Sequence, residues 1–233
     1  MVKRKPTGIP GFDELVQGGL PAYSLTLLAG NPGTAKTTFA SQFLYQGAVS
    51  QNEPGLYVSF SEDKDSYELA MRQYGMNFEE LEKNKMFTFL DMLTPRGSIV
   101  KETTDIILKE VEKLKAKRLV IDSFNALSIG LKDMASARIF LHFVLVKIMR
   151  TLGTTTILIS EVPAGDLKTG MAGEEFLADG LIVMHYIPKG LDPSSVRAIE
   201  IRKMRMTNHV ERLVPFEIGT KGIDIQPQAE LIL

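Results

Sequence analysis

The stretch from Leu25 to Val49 leaves few folds open to this chain. An apolar run, Leu25 to Ala29, passes through Gly30-Asn31-Pro32-Gly33-Thr34-Ala35-Lys36-Thr37 into Thr37 to Val49, where apolar residues recur every three to four positions. A buried strand that turns through a glycine-rich loop into a helix is the setting of a Walker A phosphate loop. Backbone N–H groups at a helix start have no partner inside the helix. A tight glycine-rich turn aims them inward, where the helix dipole also favours an anion. Lys36 would neutralise the β- and γ-phosphates of a nucleoside triphosphate, and the Thr37 hydroxyl would bind magnesium. Thr38, next in the helix, belongs with Gly30 to Thr37 in the candidate nucleotide-binding set. Ala35 stands where the motif GxxxxGK[ST] has glycine. It keeps the backbone donor, and at a helix-opening position of negative φ its methyl is expected to fit.

Such a unit cannot bury its strand alone, and the rest of the chain supplies neighbours. Apolar runs recur at Leu56 to Phe60, Met86 to Leu90, Leu119 to Ile121 and Thr156 to Ser160, with helical patterns at Ser66 to Tyr74, Lys101 to Lys115 and Ala135 to Leu152 between them. This alternation predicts an α/β fold with a mostly parallel central sheet flanked by helices, and ligands at the carboxyl ends of its strands. Beyond about residue 178 the pattern turns to strands alone, at Leu181 to His185, Val196 to Met204, Leu213 to Ile218 and Ile223 to Ile225. These are expected to extend one edge of the sheet as C-terminal antiparallel strands. No composition break marks a linker, so residues 1–233 read as a single domain. Pro163 to Gly173 is the one long irregular stretch, and a loop of that length inside a domain is usually functional or disordered.

Charge and composition remove several alternatives. Lys plus Arg number 27 against 28 Asp plus Glu, so no global positive field draws the chain to nucleic acid or an anionic membrane. With no cysteine there are no disulfides and no thiolate zinc sites. The basic start, Met1 to Pro6, leads into Thr7, Gly8 and Pro10 rather than an apolar stretch, and the longest apolar run, Ile139 to Met149, is broken by His142 and Lys147. Both features predict a soluble, cytoplasmic chain with no membrane segment.

Arg118-Leu119-Val120-Ile121-Asp122-Ser123 has the form of a Walker B strand, an apolar run ending in an acid. Read alone, Asp122 is as readily a helix cap as a metal holder. Beside a phosphate loop it is the residue that holds magnesium through water. The histidines His142, His185 and His209 are too scattered for a metal cluster. The Lys101 to Arg118 run, with glutamates among its lysines, reads as the solvated face of an amphipathic helix.

Several runs together resemble one family over nearly the whole chain. They are Thr7-Gly8-Ile9-Pro10-Gly11-Phe12-Asp13-Glu14-Leu15, Gly18-Gly19-Leu20-Pro21, the phosphate loop, Val120 to Leu127, Ser160 to Pro163, Glu174 to Asp179 and Lys203-Met204-Arg205-Met206-Thr207-Asn208-His209. The chain resembles a domain of the circadian clock ATPase KaiC and its archaeal relatives, which implies a P-loop NTPase of RecA type. The resemblance also implies ATP as the nucleotide and a homo-oligomer, with a ring of hexameric type as one form. In that family the segment matching Lys203 to His209 reaches into the neighbouring subunit's nucleotide site. Lys203 and Arg205 would then meet the γ-phosphate, with Thr207 and His209 near the sugar and phosphates. Residues two apart on a strand share a face, so Lys203 and Arg205 can point at one anion; a solvated basic strand is the bland alternative.

The resemblance breaks at the catalytic glutamates. Where the family ends a strand in two adjacent glutamates, this chain has Ser61 and Glu62. A serine hydroxyl is a poor base without an activating partner. Glu62 is the remaining candidate if the strand ends before it, and Glu161 is another. ATP binding with slow hydrolysis follows, or binding without significant hydrolysis in a scaffold that meets an unidentified protein partner. The family's autophosphorylation does not carry over, because Met171 to Glu174 stand where a Ser-Thr pair would be needed. DNA handling has thin support, since Pro163 to Gly173 offers only Lys168 as a cation and no aromatic to stack a base.

Overall fold

The computed structural model describes residues 2–92, 99–129, 151–162, 173–188, 195–229 and 231. Eleven strands occur among these residues. The short pair β1 (Arg4–Lys5) and β2 (Leu20–Pro21) stands apart from a nine-stranded sheet. That sheet comprises β3 (Leu25–Gly30), β4 (Gly55–Ser59), β5 (Phe87–Asp91), β6 (Arg118–Asp122), β7 (Thr155–Glu161), β8 (Gly180–Pro188), β9 (Ser195–Met204), β10 (Val214–Gly219) and β11 (Gly222–Ile225). Its order is β11-β10-β9-β8-β3-β7-β6-β4-β5. Every pair from β8 to β5 is parallel, and β9, β10 and β11 join antiparallel. The expected edge extension is present, with β8 as its parallel first member.

Burial follows the two-residue period of a strand. In β4, Tyr57 packs into one core while Leu56 and Val58 pack into the other; in β6, Val120 is divided in the same way from Leu119 and Ile121. Both faces are therefore covered, as parallel strands require. Helix α1 (Phe12–Leu15) and helix α2 (Lys36–Gln51) lie on the first face, where Phe12 meets Phe39 edge-on at 5.0 Å. Helices α3 (Lys64–Arg72) and α4 (Phe78–Lys83) cover an aromatic group of Tyr57, Tyr67, Phe78, Phe87 and Phe89 on that face. Helix α5 (Ile99–Leu114) supplies Ile107 and Val111 to the other face. Helices α6 (Phe124–Ile129) and α7 (Glu174–Leu177) are short.

Arg118 corrects one expectation. It is fully buried rather than part of a solvated face, because it opens β6 beneath α2. Its guanidinium donates to Glu53 Oε2 (2.8 Å), Phe43 O (2.7 Å) and Pro6 O (2.8 Å), and lies 4.6 Å from the centroid of the Phe43 ring. Gly47 makes the space: a Cβ there would stand 2.3 Å from Arg118 Nε. Most of the predicted helix Ala135 to Leu152, together with His142 and residues 163–172 of the predicted irregular stretch, lies outside the described residues.

Candidate functional site

Parallel pairing brings the carboxyl ends of the strands to one edge. Gly30 is opposite Glu161, and Ser59 is opposite Asp122. Between β3 and α2 the chain turns through Gly33 at φ +80° and Ala35 at φ +70°, ψ +31°. The expected negative φ at Ala35 is wrong. Ala35 is the N-cap of α2, and the loop enters the helix through a left-handed residue there, which strains any side chain. Its carbonyl still accepts the first helical bond, from Phe39 N at 3.0 Å. The Asn31 side chain ties the loop to Val162 O (3.0 Å), and the Thr34 hydroxyl donates to Asn31 O (2.8 Å). Pro32 is exposed and Thr38 is buried behind the loop.

Lys36 is nearly buried at 8 % exposure, and its ammonium donates to Gly30 O and Asn31 O, both at 2.9 Å. Burial lowers its pKa, against the opposing pull of Glu161 and Asp122. A buried cation whose hydrogen bonds go to carbonyls, with both carboxylates out of direct contact, gains from an arriving anion. Thr37 Oγ1 donates to Asp122 Oδ2 at 3.1 Å, and the Tyr57 phenol donates to the same oxygen at 2.5 Å. Burial raises the pKa of Asp122, while the bonds from Tyr57 and Thr37 act the other way. Among the described residues no group of three or more His, Cys, Asp or Glu side chains is placed to hold a metal. One hydroxyl beside one carboxylate suits a hard cation that takes its other ligands from water and phosphate, as magnesium does.

The turn after β4 places Glu62. Ser59 Oγ accepts from Glu62 N (2.9 Å) and donates to Glu62 O (2.6 Å), so strand geometry ends at Ser59 and does not dictate where Glu62 faces. Ser61 is exposed, whereas Glu62 is half-buried. Burial raises the pKa of Glu62, and the negative charges of Asp122 and Asp63 add to the effect. Glu161 closes the edge from β7. Asn125 of α6 clamps its backbone, accepting from Glu161 N (2.7 Å) and donating to Glu161 O (3.0 Å). Tyr57, Ser59 and Asn125 escaped the sequence reading: Tyr57 sits in an apolar run like any core aromatic, and nothing in the spacing of the other two marks them.

The remaining candidates stand at the opposite edge. Met204 pairs with Gly180, which pairs with Thr26, while Gly30 lies level with Met184 and Ile199. Lys203 is thus level with Leu27, Arg205, Thr207 and His209 follow it toward the amino end of β3, and four residues of strand, about 13 Å, separate Thr26, level with Met204, from Gly30. Lys203 Nζ donates to Ala178 O (2.6 Å) and Glu175 O (3.2 Å), and Arg205 pairs with Asp179 at 3.1 Å. Burial lowers the pKa of Lys203, with Arg205 adding to it. Thr207 Oγ1 accepts from Arg4 at 2.6 Å, and His209 Nδ1 lies 3.2 Å from Val210 O. The Thr207 hydroxyl also donates to Arg205 O at 3.1 Å, and none of these bonds goes to their own chain's phosphate loop. A cavity of about 620 Å³ lined by Lys3, Lys5, Tyr23, Glu53 and Lys117 also opens at the amino ends of the strands, remote from Lys36.

Comparison with known proteins agrees with this geometry. The family model described as "ATPase: KaiC" matches residues 5–230. The UPF0273 protein of Thermotoga maritima is 35% identical over 97% of both chains. The circadian clock protein KaiC3 of Synechocystis is 36% identical over all of this chain, which spans 47% of that protein. The crystal structure of a KaiC-like protein from Pyrococcus horikoshii superposes with a TM-score of 0.87 at 39% identity, covering 97% of this chain and all of that one. Among the described residues no helix is long and apolar enough to cross a membrane.

Proposed function

The chain belongs to the KaiC ATPase family, and on that premise we propose that residues 1–233 form one Mg-ATP-binding domain that hydrolyses ATP slowly and assembles through neighbouring nucleotide sites. The observation that carries the reading is the group at the strand ends: Lys36 under the loop, and Thr37 in hydrogen-bond contact with Asp122. Gly30 to Thr37, with Thr38 behind them, bind the phosphates through backbone N–H groups and the Lys36 ammonium. Thr37 and Asp122 hold magnesium, which on binding neutralises phosphate charge. Glu62 orients the attacking water, since its turn holds it where the Asp122 carboxylate acts on it. With its pKa raised and Ser61 in the place of the family's first glutamate, it supports turnover without making it fast.

Lys203 and Arg205 act on another subunit's nucleotide, and Thr207 and His209 line the same neighbouring site. Their place toward the amino ends of the strands supports this reading, because the side chains of Lys203 and Arg205 bond there to Ala178, Glu175 and Asp179 and not to their own chain's phosphate loop. Such an interface is head-to-tail and closes into a ring when the rotation permits. Phosphate release from purified protein with Mg-ATP, beside a Lys36→Ala control, tests the hydrolytic reading. Release that disappears in the control supports it. Nucleotide binding with no release above the control refutes it and favours a second reading that rests on exposed Ser61, an ATP-binding scaffold for a protein partner. The DNA reading rests on Lys168, which lies outside the described residues.

A further inference from the structure

We propose that Tyr57 is a positioning residue for the magnesium site, its phenol holding the Asp122 carboxylate in the orientation in which Thr37 and Asp122 together receive the metal. The proposal rests on Thr37 and Asp122 being the metal-holding pair. Tyr57 lies in the middle of β4, one strand over from β6, and is 1 % exposed. Its hydroxyl and Thr37 Oγ1 both donate to Oδ2 of Asp122, and among the described residues Oδ1 accepts no hydrogen bond. One carboxylate oxygen is thus fixed by two donors while the other remains available for a metal-bound water.

The ring cannot swing the hydroxyl away. It stacks on Phe89 at 5.5 Å with planes 6° apart and leans on Tyr67 at 4.6 Å. A phenol facing a carboxylate oxygen at 2.5 Å is the donor of that bond. A buried tyrosine needs some partner for its hydroxyl, and that need alone does not require Asp122. Tyr67 shows the alternative: it belongs to the same aromatic group, is equally buried, and spends its hydroxyl on Ser41 Oγ at 2.9 Å. The two tyrosines therefore form a matched pair in which only one touches the site. Groups that orient a metal ligand from behind change metal affinity by about 10–100-fold when removed.

The test titrates magnesium against binding of a fluorescent ATP analogue to wild-type protein, Tyr57→Phe, Tyr67→Phe and Asp122→Asn, with a parallel series in EDTA. Both phenylalanine variants keep the ring packing. Tyr57→Phe should raise the half-saturating magnesium concentration about 10-fold and leave binding in EDTA unchanged. Tyr67→Phe should lower the melting temperature without moving the magnesium midpoint. A Tyr57→Phe midpoint equal to wild type, or an equal shift in Tyr67→Phe, overturns the proposal while leaving the metal pair in place. Binding that ignores magnesium in wild type and Asp122→Asn alike overturns the metal pair and the proposal together.

Discussion

Replacing Ala35 by glycine should stabilise the protein, the opposite of the sign that an alanine-to-glycine change gives inside a helix. Ala35 adopts φ +70°, ψ +31° at the N-cap of α2. An L-residue with a Cβ in that region is strained by about 1–2 kcal/mol. Glycine removes the strain, and its greater freedom in the unfolded chain takes back about 0.4–1 kcal/mol. The net gain is about 0.5–1 kcal/mol, which for a chain of this length raises the melting temperature by about 1–4 °C. The assay is thermal unfolding followed by far-ultraviolet circular dichroism, without nucleotide and at one scan rate. Had Ala35 the negative φ of a helical residue, the same change would destabilise by about 1 kcal/mol and lower the midpoint. A fall of 2 °C or more, an estimate from the same size scaling, would refute the left-handed assignment and restore the simpler reading of the motif.

Other expectations follow from the charges. Glu53→Gln leaves the Arg118 guanidinium buried without its carboxylate, so it should cost about 3 kcal/mol, seen as a melting temperature lower by roughly 6–12 °C; a change within 2 °C, about half a kcal/mol on that scaling, would show the pair to be dispensable. Burial pulls the pKa of Glu53 up, but bonds from Lys5 and Arg118 outweigh it and leave it lowered. The stability this provides is present above the ordinary glutamate range and is lost as pH falls through the depressed folded value, so melting followed from neutral into acid should slope less in Glu53→Gln than in wild type. Arg205→Ala and Lys36→Ala should each abolish phosphate release alone and recover part of it when mixed; no recovery on mixing argues against action between subunits. Glu62→Gln should lower release at least 10-fold with nucleotide affinity unchanged, whereas an effect confined to Glu161→Gln would move the role to that residue.

The parallel sheet, the phosphate loop and the Asp122 strand were legible because each has a local signature: a continuous apolar run, a glycine-rich turn, an acid after a strand. What escaped was set at a distance. Arg118 reads as surface charge until Gly47 and Pro6, remote in sequence, are found to enclose it. Tyr57 reads as an ordinary core aromatic until β6 places Asp122 beside it. Ala35 misled for a different reason, since helix periodicity fixes the residues after the first turn and says little about the handedness of the one before it. Helix α4 and the β1–β2 pair were too short to show any period.

The opposed placement of phosphate loop and cations also sets how sites would be counted under the proposed assembly. Each subunit carries two unlike halves, so an open row always ends in one unmatched loop and one unmatched pair of cations, however long it grows. Only closure leaves none over. Work per subunit would then climb steeply with protein concentration and level off once rings predominate, and a single subunit defective in one half would silence one junction while sparing the rest.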